Sequence, residues 1–279
     1  MYLWLLAIGA VILFVWLGLR ARTEAGSLTI TRVDVPVDGL PPELDGFTIL
    51  HLSDLHLRGW GPFEQALVQT VRSVPTPAVA LTGDFLGAAA GATALIPIVM
   101  EIGRDRVVYG VLGNHDYLPQ VNTRSLANDL ARAGVRLLVN GADVIRHRGR
   151  RVWIIGVDDP HTGRDDLQQA LSHVLPPAGE QGEPRILLAH SPDIFPAAAR
   201  AGVDLVLAGH THGGQICLPG GVPIITNTRR GRFGAGLFRR GRTTMFVTRG
   251  IGTSGLRGRL FCPPEIAVVR LVRAPEERP

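Results

Sequence analysis

The chain has 279 residues, of which 46% are hydrophobic, and it carries a formal net charge of +5 at pH 7. Its two cysteines are too few for a disulfide framework or for a metal site built on thiolates, so both of those classes are excluded. All 29 basic residues are arginine, which we interpret as a compositional bias. The positive charge alone therefore does not indicate nucleic-acid binding, and we expect no nucleic-acid partner.

The first predicted element is an apolar N-terminal helix, residues 1–19, which contains no charged residue. At about 1.5 Å per residue, such a helix crosses most of a bilayer core of roughly 30 Å. The alternative is a cleaved signal peptide, which would carry a basic residue before the apolar stretch, whereas Arg20 and Arg22 come directly after it. We therefore expect an uncleaved single-pass anchor in the cell membrane, then a tether at 20–26, with the rest of the chain on the cytoplasmic face.

One domain, residues 27–272, is predicted to follow, with a polar tail at 273–279. The domain contains short apolar runs without polar alternation, as in strands that are buried on both faces of a sheet. Helical segments lie between most of these runs, and such alternation indicates an α/β fold with parallel strands and crossover helices. The predicted strands are 48–53, 78–82, 107–112, 186–189 and 204–208, and the predicted helices are 63–73, 93–103, 123–133 and 194–201.

Each predicted strand is followed by side chains that can bind a metal ion. The carboxyl ends of parallel strands lie at one edge of the sheet, so these side chains converge although they are far apart in the sequence. One such cluster would be an ordinary turn into solvent, whereas five together indicate a site. Nitrogen and oxygen donors without thiolates argue against an iron–sulfur cluster and leave Mn, Fe, Zn and Co open. The candidate ligands are Asp54, His56, Asp84, Asn114, His190, His210 and His212.

In their order along the chain, these motifs resemble those of the calcineurin-like metallophosphoesterase family. The match runs from about residue 47 to the end of the chain. Segments 209–215, 249–254 and 264–266 further resemble the membrane-anchored bacterial branch of that family. The resemblance implies a four-layer sandwich, in which two mixed β-sheets pack between helices. The motifs are Asp54-x-His56, Gly83-Asp84, Gly113-Asn114-His115-Asp116, His190 and Gly209-His210-x-His212.

The resemblance also implies a centre with two divalent cations, often Mn²⁺, and assigns each predicted ligand to an ion. A carboxylate is the side chain expected at the shared position, because it offers two oxygens. Two ions about 3.5 to 4 Å apart can clamp the attacking and leaving oxygens of an in-line displacement and acidify water. The implied ligands are Asp54, His56 and His212 for one ion, Asn114, His190 and His210 for the other, and Asp84 for both.

His115 and Asp116 follow a predicted ligand directly and are predicted to take part in catalysis without binding metal. His115 can reach a phosphoryl oxygen or the leaving group, where an imidazolium would act as a general acid. Asp116 can orient that ring by accepting its other N–H. The alternative for Asp116 is a turn or a helix cap.

Six arginines follow the last ligand motif in a glycine-rich stretch that also contains phenylalanine and leucine. One interpretation is a solvated hairpin in an arginine-biased protein. The other is a substrate-binding edge for anionic headgroups or a lipid-linked phosphate, since arginine pairs with phosphate through a planar fork. The six are Arg229, Arg230, Arg232, Arg239, Arg240 and Arg242.

Four further histidines lie outside the ligand motifs. His51 alternates with the site-facing positions of its strand, so we expect a core histidine with satisfied polar atoms. His147, His161 and His173 have no such setting and are predicted at the surface. The acidic pair at 158–159 follows another apolar run and is interpreted either as a turn or as a contact behind the site.

The motifs together predict hydrolysis of a phosphodiester or a pyrophosphate. Within the resembled branch, the leading substrate is a lipid-linked phosphate such as UDP-2,3-diacylglucosamine or a phospholipid. A soluble nucleotide or another soluble phosphodiester is the alternative, because one metal centre can serve many phosphoesters. A non-catalytic scaffold is an alternative of another class, and the intact ligand set argues against it. The sequence carries no signal for an oligomeric state.

Overall fold

The computed structural model describes residues 2–174, 183–229 and 233–275. The helices are α1 (Tyr2–Glu24), α2 (Pro62–Arg72), α3 (Gly91–Ile102), α4 (Thr123–Arg132), α5 (Leu167–Ser172) and α6 (Phe195–Arg200). The strands are β1 (Thr29–Val37), β2 (Thr48–Leu52), β3 (Ala78–Thr82), β4 (Val107–Val111), β5 (Val135–Leu137), β6 (Gly141–His147), β7 (Arg150–Gly156), β8 (Arg185–Leu188), β9 (Leu205–Ala208), β10 (Cys217–Leu218), β11 (Val222–Pro223), β12 (Gly236–Arg240), β13 (Thr243–Val247) and β14 (Glu265–Arg273).

The first six-stranded sheet has the order β1-β14-β2-β3-β4-β5. Strands β2 to β5 are parallel, as predicted, and α2, α3 and α4 cross between them. The last strand of the chain, β14, runs antiparallel to β2 and parallel to β1. The sheet is therefore mixed, and its central strands are buried along almost their whole length.

The second six-stranded sheet has the order β12-β13-β9-β8-β7-β6. Its four inner strands are parallel, whereas β6 and β12 run antiparallel to their neighbours. Both outer strands belong to hairpins, and the turn between β6 and β7 contains Arg148 and Gly149 at φ 47° and 80°. Two consecutive residues with positive φ match the twist of a two-residue hairpin. A short antiparallel pair, β10 and β11, lies apart from both sheets.

Three apolar clusters define the layers of the domain. The cluster between the sheets includes Val35, Ile49, Val111, Ile154 and Leu207. A second cluster joins the outer face of the first sheet to α2, α3 and α4, and a third joins the outer face of the second sheet to α5 and α6. The order helix–sheet–sheet–helix confirms the predicted four-layer sandwich.

The N-terminal helix α1 is longer than the predicted anchor, and it leaves almost no flexible tether. It is long and apolar enough to be a candidate membrane span, and none of its residues is buried in the domain. Five of the predicted tether residues, 20–24, continue the helix. The last turn of α1 contacts the domain, because Arg259 N–H donates to Ala21 O at 2.9 Å and the Arg20 guanidinium lies 4.4 Å from the centre of the Phe261 ring.

The two ends of the predicted domain can be compared with the outermost strands. Strand β1 begins at Thr29, and β14 ends at Arg273, the first residue of the predicted tail. Residues 276–279 of that tail lie outside the described residues. The limits 27–272 stay a prediction.

Candidate metal centre

All seven predicted ligands lie together at one edge of the sandwich, and both sheets contribute. Each follows the carboxyl end of a strand, which is where a parallel sheet places its ligands. The first sheet supplies ligands after β2, β3 and β4, and the second supplies them after β8 and β9. The residues are Asp54 and His56 after β2, Asp84 after β3, Asn114 after β4, His190 after β8, and His210 and His212 after β9.

The first group of donors is formed by Asp54, His56 and His212. The Nε2 atoms of His56 and His212 face each other at 3.2 Å, and Asp54 Oδ1 lies 3.4 Å from His212 Nε2. These three residues form one of the described groups whose donor atoms could hold a metal ion. Asp84 Oδ2 approaches the same group, at 3.5 Å from His56 Nε2.

The second group of donors lies on the other side of Asp84. Asp84 Oδ1 is 3.4 Å from His190 Nε2, which is 3.1 Å from Asn114 Oδ1 and 3.2 Å from His210 Nδ1. Asn114 Oδ1 is in turn 2.9 Å from His210 Nδ1. The two oxygens of Asp84 thus point to different groups, which is the geometry expected of a bridging carboxylate.

The donor set fits divalent cations. Asp54 Oδ1 is buried and has no hydrogen-bond partner among the described residues, although an unpaired buried carboxylate oxygen is costly. Imidazole nitrogens and carboxylate or amide oxygens are the ligands expected of Mn, Fe, Zn and Co sites. The two buried thiols, Cys217 and Cys262, instead donate to the carbonyl oxygens of Gly213 and His212 at 3.2 Å, so they do not join the donors.

Burial keeps three of the histidines in the form that binds cations. It lowers the pKa of His56 and His212, and it lowers the pKa of His210 to about 3. The neutral ring has a free lone pair, which a metal ion requires. Burial acts to lower the pKa of His190 as well, but the Asp84 carboxylate overcomes it and raises the pKa of His190 to about 10. Asp84 therefore attracts positive charge, either a proton on His190 or a cation.

The backbone is held in sparsely populated conformations at the donors. Residues other than glycine rarely adopt positive φ, and such residues cluster at functional sites. Close packing accompanies these turns, since a Cβ on Gly113 would lie 2.7 Å from His190 Nδ1. The donors with positive φ are Asp54 (53°), His56 (42°), Asp84 (55°), His210 (70°) and His212 (51°).

Hydrogen bonds behind the donors fix their orientation. His190 Nδ1 lies 2.7 Å from Thr82 O, so a proton on Nδ1 leaves Nε2 free to face Asp84. His210 N–H donates to Asp54 Oδ2 at 3.0 Å, which ties the second sheet to the first. Ring hydrogens are assigned here from these partners.

His115 lies beside the donors, at the mouth of the site. It belongs to a 3₁₀ turn, Asn114–Tyr117, and its N–H donates to Asp84 Oδ1 at 2.9 Å. Its ring packs edge-on against His56, with 4.9 Å between centroids, and its Nε2 lies 3.5 Å from Ser254 Oγ. The ring is partly exposed and lines the cavity, and its role as a general acid stays a prediction.

The contacts of Asp116 correct the prediction that it orients the His115 ring. Its carboxylate accepts three backbone N–H groups, those of Asp84, Phe85 and Gly113, each at 2.9 Å. These bonds join the turn after β3 to the turn after β4. The alternative interpretation as a cap is therefore the correct one, and Asp116 acts on the site by holding the backbone of Asp84.

His161 is the residue at the site that the sequence analysis missed. It was predicted at the surface, but its ring lies against that of His210, with 4.5 Å between centroids, and its Nδ1 is buried without a hydrogen-bond partner among the described residues. Asp159 holds this loop, since its carboxylate accepts the N–H groups of His161 and Thr162 at 3.1 and 2.8 Å. The acidic pair after β7 was the only available signal, because it marked a turn beside the ligand-bearing strands.

The structure describes four of the six arginines of the predicted substrate-binding edge, and a role of this stretch in substrate binding stays a prediction. Arg239 and Arg240 lie on the edge strand β12. Arg242 pairs at 2.7 Å with Asp204. Asp204 lies before the start of β9, whereas the donor His210 lies after the end of that strand. The residues 230 and 232 of the stretch lie outside the described residues, and Arg229 N–H donates to the Asp193 carboxylate.

A cavity of about 430 Å³ opens over the donors. Its lining includes the polar side chains of Asn114, His115 and Ser254. It also includes Ile224 and Ile225, which follow β11. The cavity therefore combines polar and apolar lining residues.

Comparison with known proteins agrees with this geometry. Residues 47–214 match the calcineurin-like phosphoesterase family. The chain is 30% identical to the phosphodiesterase YaeI of Escherichia coli over 81% of its own length and 82% of that protein. It is 33% identical to a bovine (Bos taurus) transmembrane protein with a metallophosphoesterase domain, over 88% of its own length and 57% of that protein. It is also 26% identical to the UDP-2,3-diacylglucosamine pyrophosphatase LpxG of Chlamydia muridarum, over 90% of its own length and 92% of that protein.

A family match over more than half of the chain coincides with groups of His and Asp side chains that could hold a metal ion, among them Asp54, His56 and His212. Proteins of this family use divalent metal ions, and the two relatives from Escherichia coli and Chlamydia muridarum are named for the cleavage of phosphoric esters or anhydrides. The chain therefore belongs to the calcineurin-like phosphoesterase family and is a metal-dependent phosphoric ester hydrolase.

Proposed function

We propose that this protein is a membrane-anchored phosphoesterase with two metal ions, which hydrolyses a phosphodiester or pyrophosphate bond of a lipid-linked substrate. The observation that carries the dinuclear part is the position of Asp84, whose two oxygens face two different groups of nitrogen and oxygen donors. The proposed ligands are Asp54, His56 and His212 for the first ion, Asn114, His190 and His210 for the second, and Asp84 for both.

When bound, the two ions would supply charge for a phosphoryl group and lower the pKa of water; the metal identity is proposed as Mn²⁺, with Fe, Zn and Co as alternatives. The chain itself provides the remaining parts of the reaction. Asp116 and Thr82 hold Asp84 and His190 in place through the bonds described above. His115 opens to the cavity and is positioned to give a proton to the leaving oxygen.

Three observations support a lipid-linked substrate. Helix α1 is a candidate membrane span. Ile224 and Ile225 give the cavity an apolar wall, which suits the hydrocarbon part of a lipid better than a nucleotide. The relative LpxG is named for the cleavage of a pyrophosphate in a diacylated sugar nucleotide. A substrate such as UDP-2,3-diacylglucosamine or a phospholipid is therefore preferred to a soluble nucleotide.

The first experiment measures hydrolysis by the full chain in detergent with added Mn²⁺. The panel contains a phospholipid, UDP-2,3-diacylglucosamine, a cyclic nucleotide and bis(p-nitrophenyl) phosphate. We expect turnover of the activated ester and a higher kcat/KM for one of the lipids than for the nucleotide. A higher kcat/KM for the nucleotide would reject the lipid substrate while leaving the metal centre intact.

The bridging role of Asp84 is tested in the same preparation. Asp84→Asn should lower the metal content and abolish hydrolysis of every substrate, because both ions lose a charged ligand. The matched control is Asp129→Asn on α4, which removes a carboxylate that pairs with Arg132 at 3.2 Å, away from the donors. Normal metal content and turnover in Asp84→Asn would contradict the assignment.

The proposed location is the cell membrane, with α1 crossing once and the domain, residues 27–272, on the cytoplasmic face. Arg20 and Arg22 at the domain end of α1 support this orientation, since basic residues flank spans on the cytoplasmic side. Protease treatment of intact spheroplasts should spare the domain and degrade it only after lysis. Degradation before lysis would reverse the orientation.

A further inference from the structure

A hairpin beside the base of α1 carries a group of exposed apolar residues. Strands β10 and β11 pair Leu218 with Val222, and the chain then continues through Ile224 and Ile225. These four side chains are 54 to 73% exposed. Large apolar residues that are grouped and exposed mark a surface that meets a partner or a membrane. We refer to residues 217–225 as the apolar hairpin.

The apolar hairpin lies directly beside the point where α1 meets the domain. Cys217 N–H donates to Leu260 O at 2.8 Å, and Ile216 forms a β-bridge with Leu260. The residue before Leu260 is Arg259, whose N–H donates to Ala21 O in the last turn of α1. Two consecutive residues therefore make the contact with the hairpin and the contact with the helix.

The docking of α1 determines which face of the domain meets the bilayer. Five residues of the predicted tether are helical, so the domain cannot turn freely on the helix. Arg20 stacks on Phe261 and lies 5.6 Å from the centre of the Trp16 ring. Tryptophan and arginine at the end of an apolar helix mark the membrane–water interface. The bilayer surface thus passes close to residues 258–262 and to the hairpin beside them.

A second exposed loop has the same character. Leu256 is 64% exposed, and the neighbouring Arg257 is also exposed. The loop is held by Gln215, whose side-chain N–H groups donate to Leu256 O at 2.8 Å and Ser254 O at 3.1 Å. Apolar side chains beside arginine suit a surface of anionic headgroups, which attract the basic residue while the apolar one enters the interface.

We propose that the apolar hairpin, together with Leu256, enters the membrane interface, so that the mouth of the catalytic cavity faces the bilayer. The connection to the cavity is direct, because Ile224 and Ile225 line it, as does Ser254, which lies next to His115. A phosphate at the bilayer surface would then reach the donors while its hydrocarbon part stays against the two isoleucines. The proposal rests on the proposed function for α1 as a membrane span, and it names the surface through which the substrate enters.

The test measures the immersion of the hairpin without any substrate. The full chain carrying Val222→Cys is labelled with a nitroxide and placed, one chain per disc, in nanodiscs of phosphatidylethanolamine and phosphatidylglycerol. The native Cys217 and Cys262 are buried, and the unsubstituted chain serves to confirm that they are not labelled. Collision rates with oxygen and with a water-soluble nickel chelate report whether the label lies in lipid or in water.

The matched control is Val139→Cys. Val139 is 47% exposed, against 55% for Val222. It lies in the loop between β5 and β6, and each of these is the edge strand of its sheet farthest from β1 or β12. The ratio of oxygen to nickel collisions should be several-fold higher at Val222 than at Val139. A second labelled variant, Leu218→Cys, lies directly across the hairpin from Val222. It should give the same result, which guards against a disturbance of the turn by the label at one position.

An aqueous signal at both hairpin positions would overturn the proposal, whatever the substrate panel shows. A second copy of the chain could instead cover the hairpin. In that case the label would be shielded from both oxygen and nickel, and its spectrum would broaden in discs that hold two chains. This result would also overturn the proposal. Immersion of the hairpin without hydrolysis of any lipid would keep the surface and reject the proposed substrate. The two proposals can therefore fail separately.

Discussion

Two histidines that are not predicted ligands flank the donors from opposite sides. His115 packs edge-on against His56 in the first group, and His161 packs against His210 in the second. Both rings lie close enough to a ligand to contact a group held by the ions. A phosphate over Asp84 would therefore lie between two imidazoles, and each can be tested without removing a donor.

His115→Asn should reduce turnover by roughly 10² to 10⁴-fold, the usual effect of losing a general acid, while metal content stays near that of the wild type. The reduction should be smaller for bis(p-nitrophenyl) phosphate, because its leaving group needs little protonation. Kinetics on activated and unactivated diesters, with metal analysis of the same preparations, measure both effects. His115 also forms a group with His56 and Asp84 that could hold an ion, so loss of metal would instead identify it as a ligand.

His161→Phe should retain the bound metal and lower kcat/KM by about 10 to 100-fold, which corresponds to one lost hydrogen bond of about 1.4 to 2.8 kcal/mol. Phenylalanine preserves the packing against His210 but removes Nδ1, a buried atom without a partner among the described residues. Steady-state kinetics and metal analysis check this expectation. Full activity in His161→Phe, together with reduced activity in His161→Ala, would show that the ring acts only by packing.

The sequence predicts which side chains converge at the site, but it does not predict the residues that support them. The donors follow apolar runs, and Asp, Asn and His at such positions carry both the chemistry and the spacing. The role of Asp116 was ambiguous in the sequence. A carboxylate that follows a ligand can accept a hydrogen bond from a histidine ring or from a backbone N–H, and the local sequence is the same in both cases. His161 lies 29 residues before His190 and has no motif of its own, so only the packing of the loop after β7 reveals it.

At the scale of elements, five inner strands, β2, β3, β4, β8 and β9, were predicted, whereas the edge strands were not. Strands β3 and β9 are continuous apolar runs that are buried on both faces, so composition identifies them. The edge strands β1 and β12 alternate or are mostly exposed, and they resemble loops of an arginine-rich chain. The β-branched content of β14 predicts a strand, but its place between β1 and β2 depends on long-range pairing.

His51 in β2 should make the stability of the domain depend on pH. Burial lowers its pKa from 6.5 to about 4, against the smaller effects of Glu265 and Asp54, and its Nε2 lies 2.8 Å from Thr82 Oγ1. Its Nδ1 has no partner among the described residues, so the predicted satisfaction of the ring is only half correct. Above pH 6.5 the ring is neutral in both states. As the pH falls from 6.5 to about 4, only the unfolded chain takes up the proton, and the free energy of unfolding decreases by up to about 3 kcal/mol.

His51→Gln should make this dependence shallower by the contribution of His51, because glutamine can still pair with Thr82 and does not titrate. Urea unfolding of the full chain in detergent, with a chelator present, measures the free energy between pH 4 and pH 7. His173→Gln changes the same residue type at an exposed position after α5 and should leave the slope unchanged. An equal slope in His51→Gln and the unsubstituted chain would assign the acid sensitivity to other groups.

At the scale of the whole molecule, the donors join the two sheets. Asp54, Asp84 and their neighbours come from the first sheet, and the three histidines after β8 and β9 come from the second. The described contacts across the site include His210 N–H to Asp54 and His190 Nδ1 to Thr82 O. Ions held between these groups would cross-link the layers, so metal binding and the stability of the sandwich are expected to be coupled.

Chelation should therefore destabilise the domain as a whole and not only its active site. Ligands that bind only the folded state stabilise it by RT ln(1 + [L]/Kd), about 2.7 kcal/mol at a hundredfold excess over Kd. The Tm of the full chain in detergent should rise steadily with Mn²⁺ concentration after the chelated protein is desalted, and Asp129→Asn should behave in the same way. In Asp84→Asn the Tm of the chelated protein should lie below that of the wild type, because His190 loses the carboxylate that lies 3.4 Å from its Nε2, and the response of the variant to Mn²⁺ should be much weaker. Calorimetry measures both quantities. A Tm that does not respond to Mn²⁺ in the unsubstituted chain would show that the sheets are held together by their apolar interface alone, and an equal response in Asp84→Asn would place the stabilising ion elsewhere.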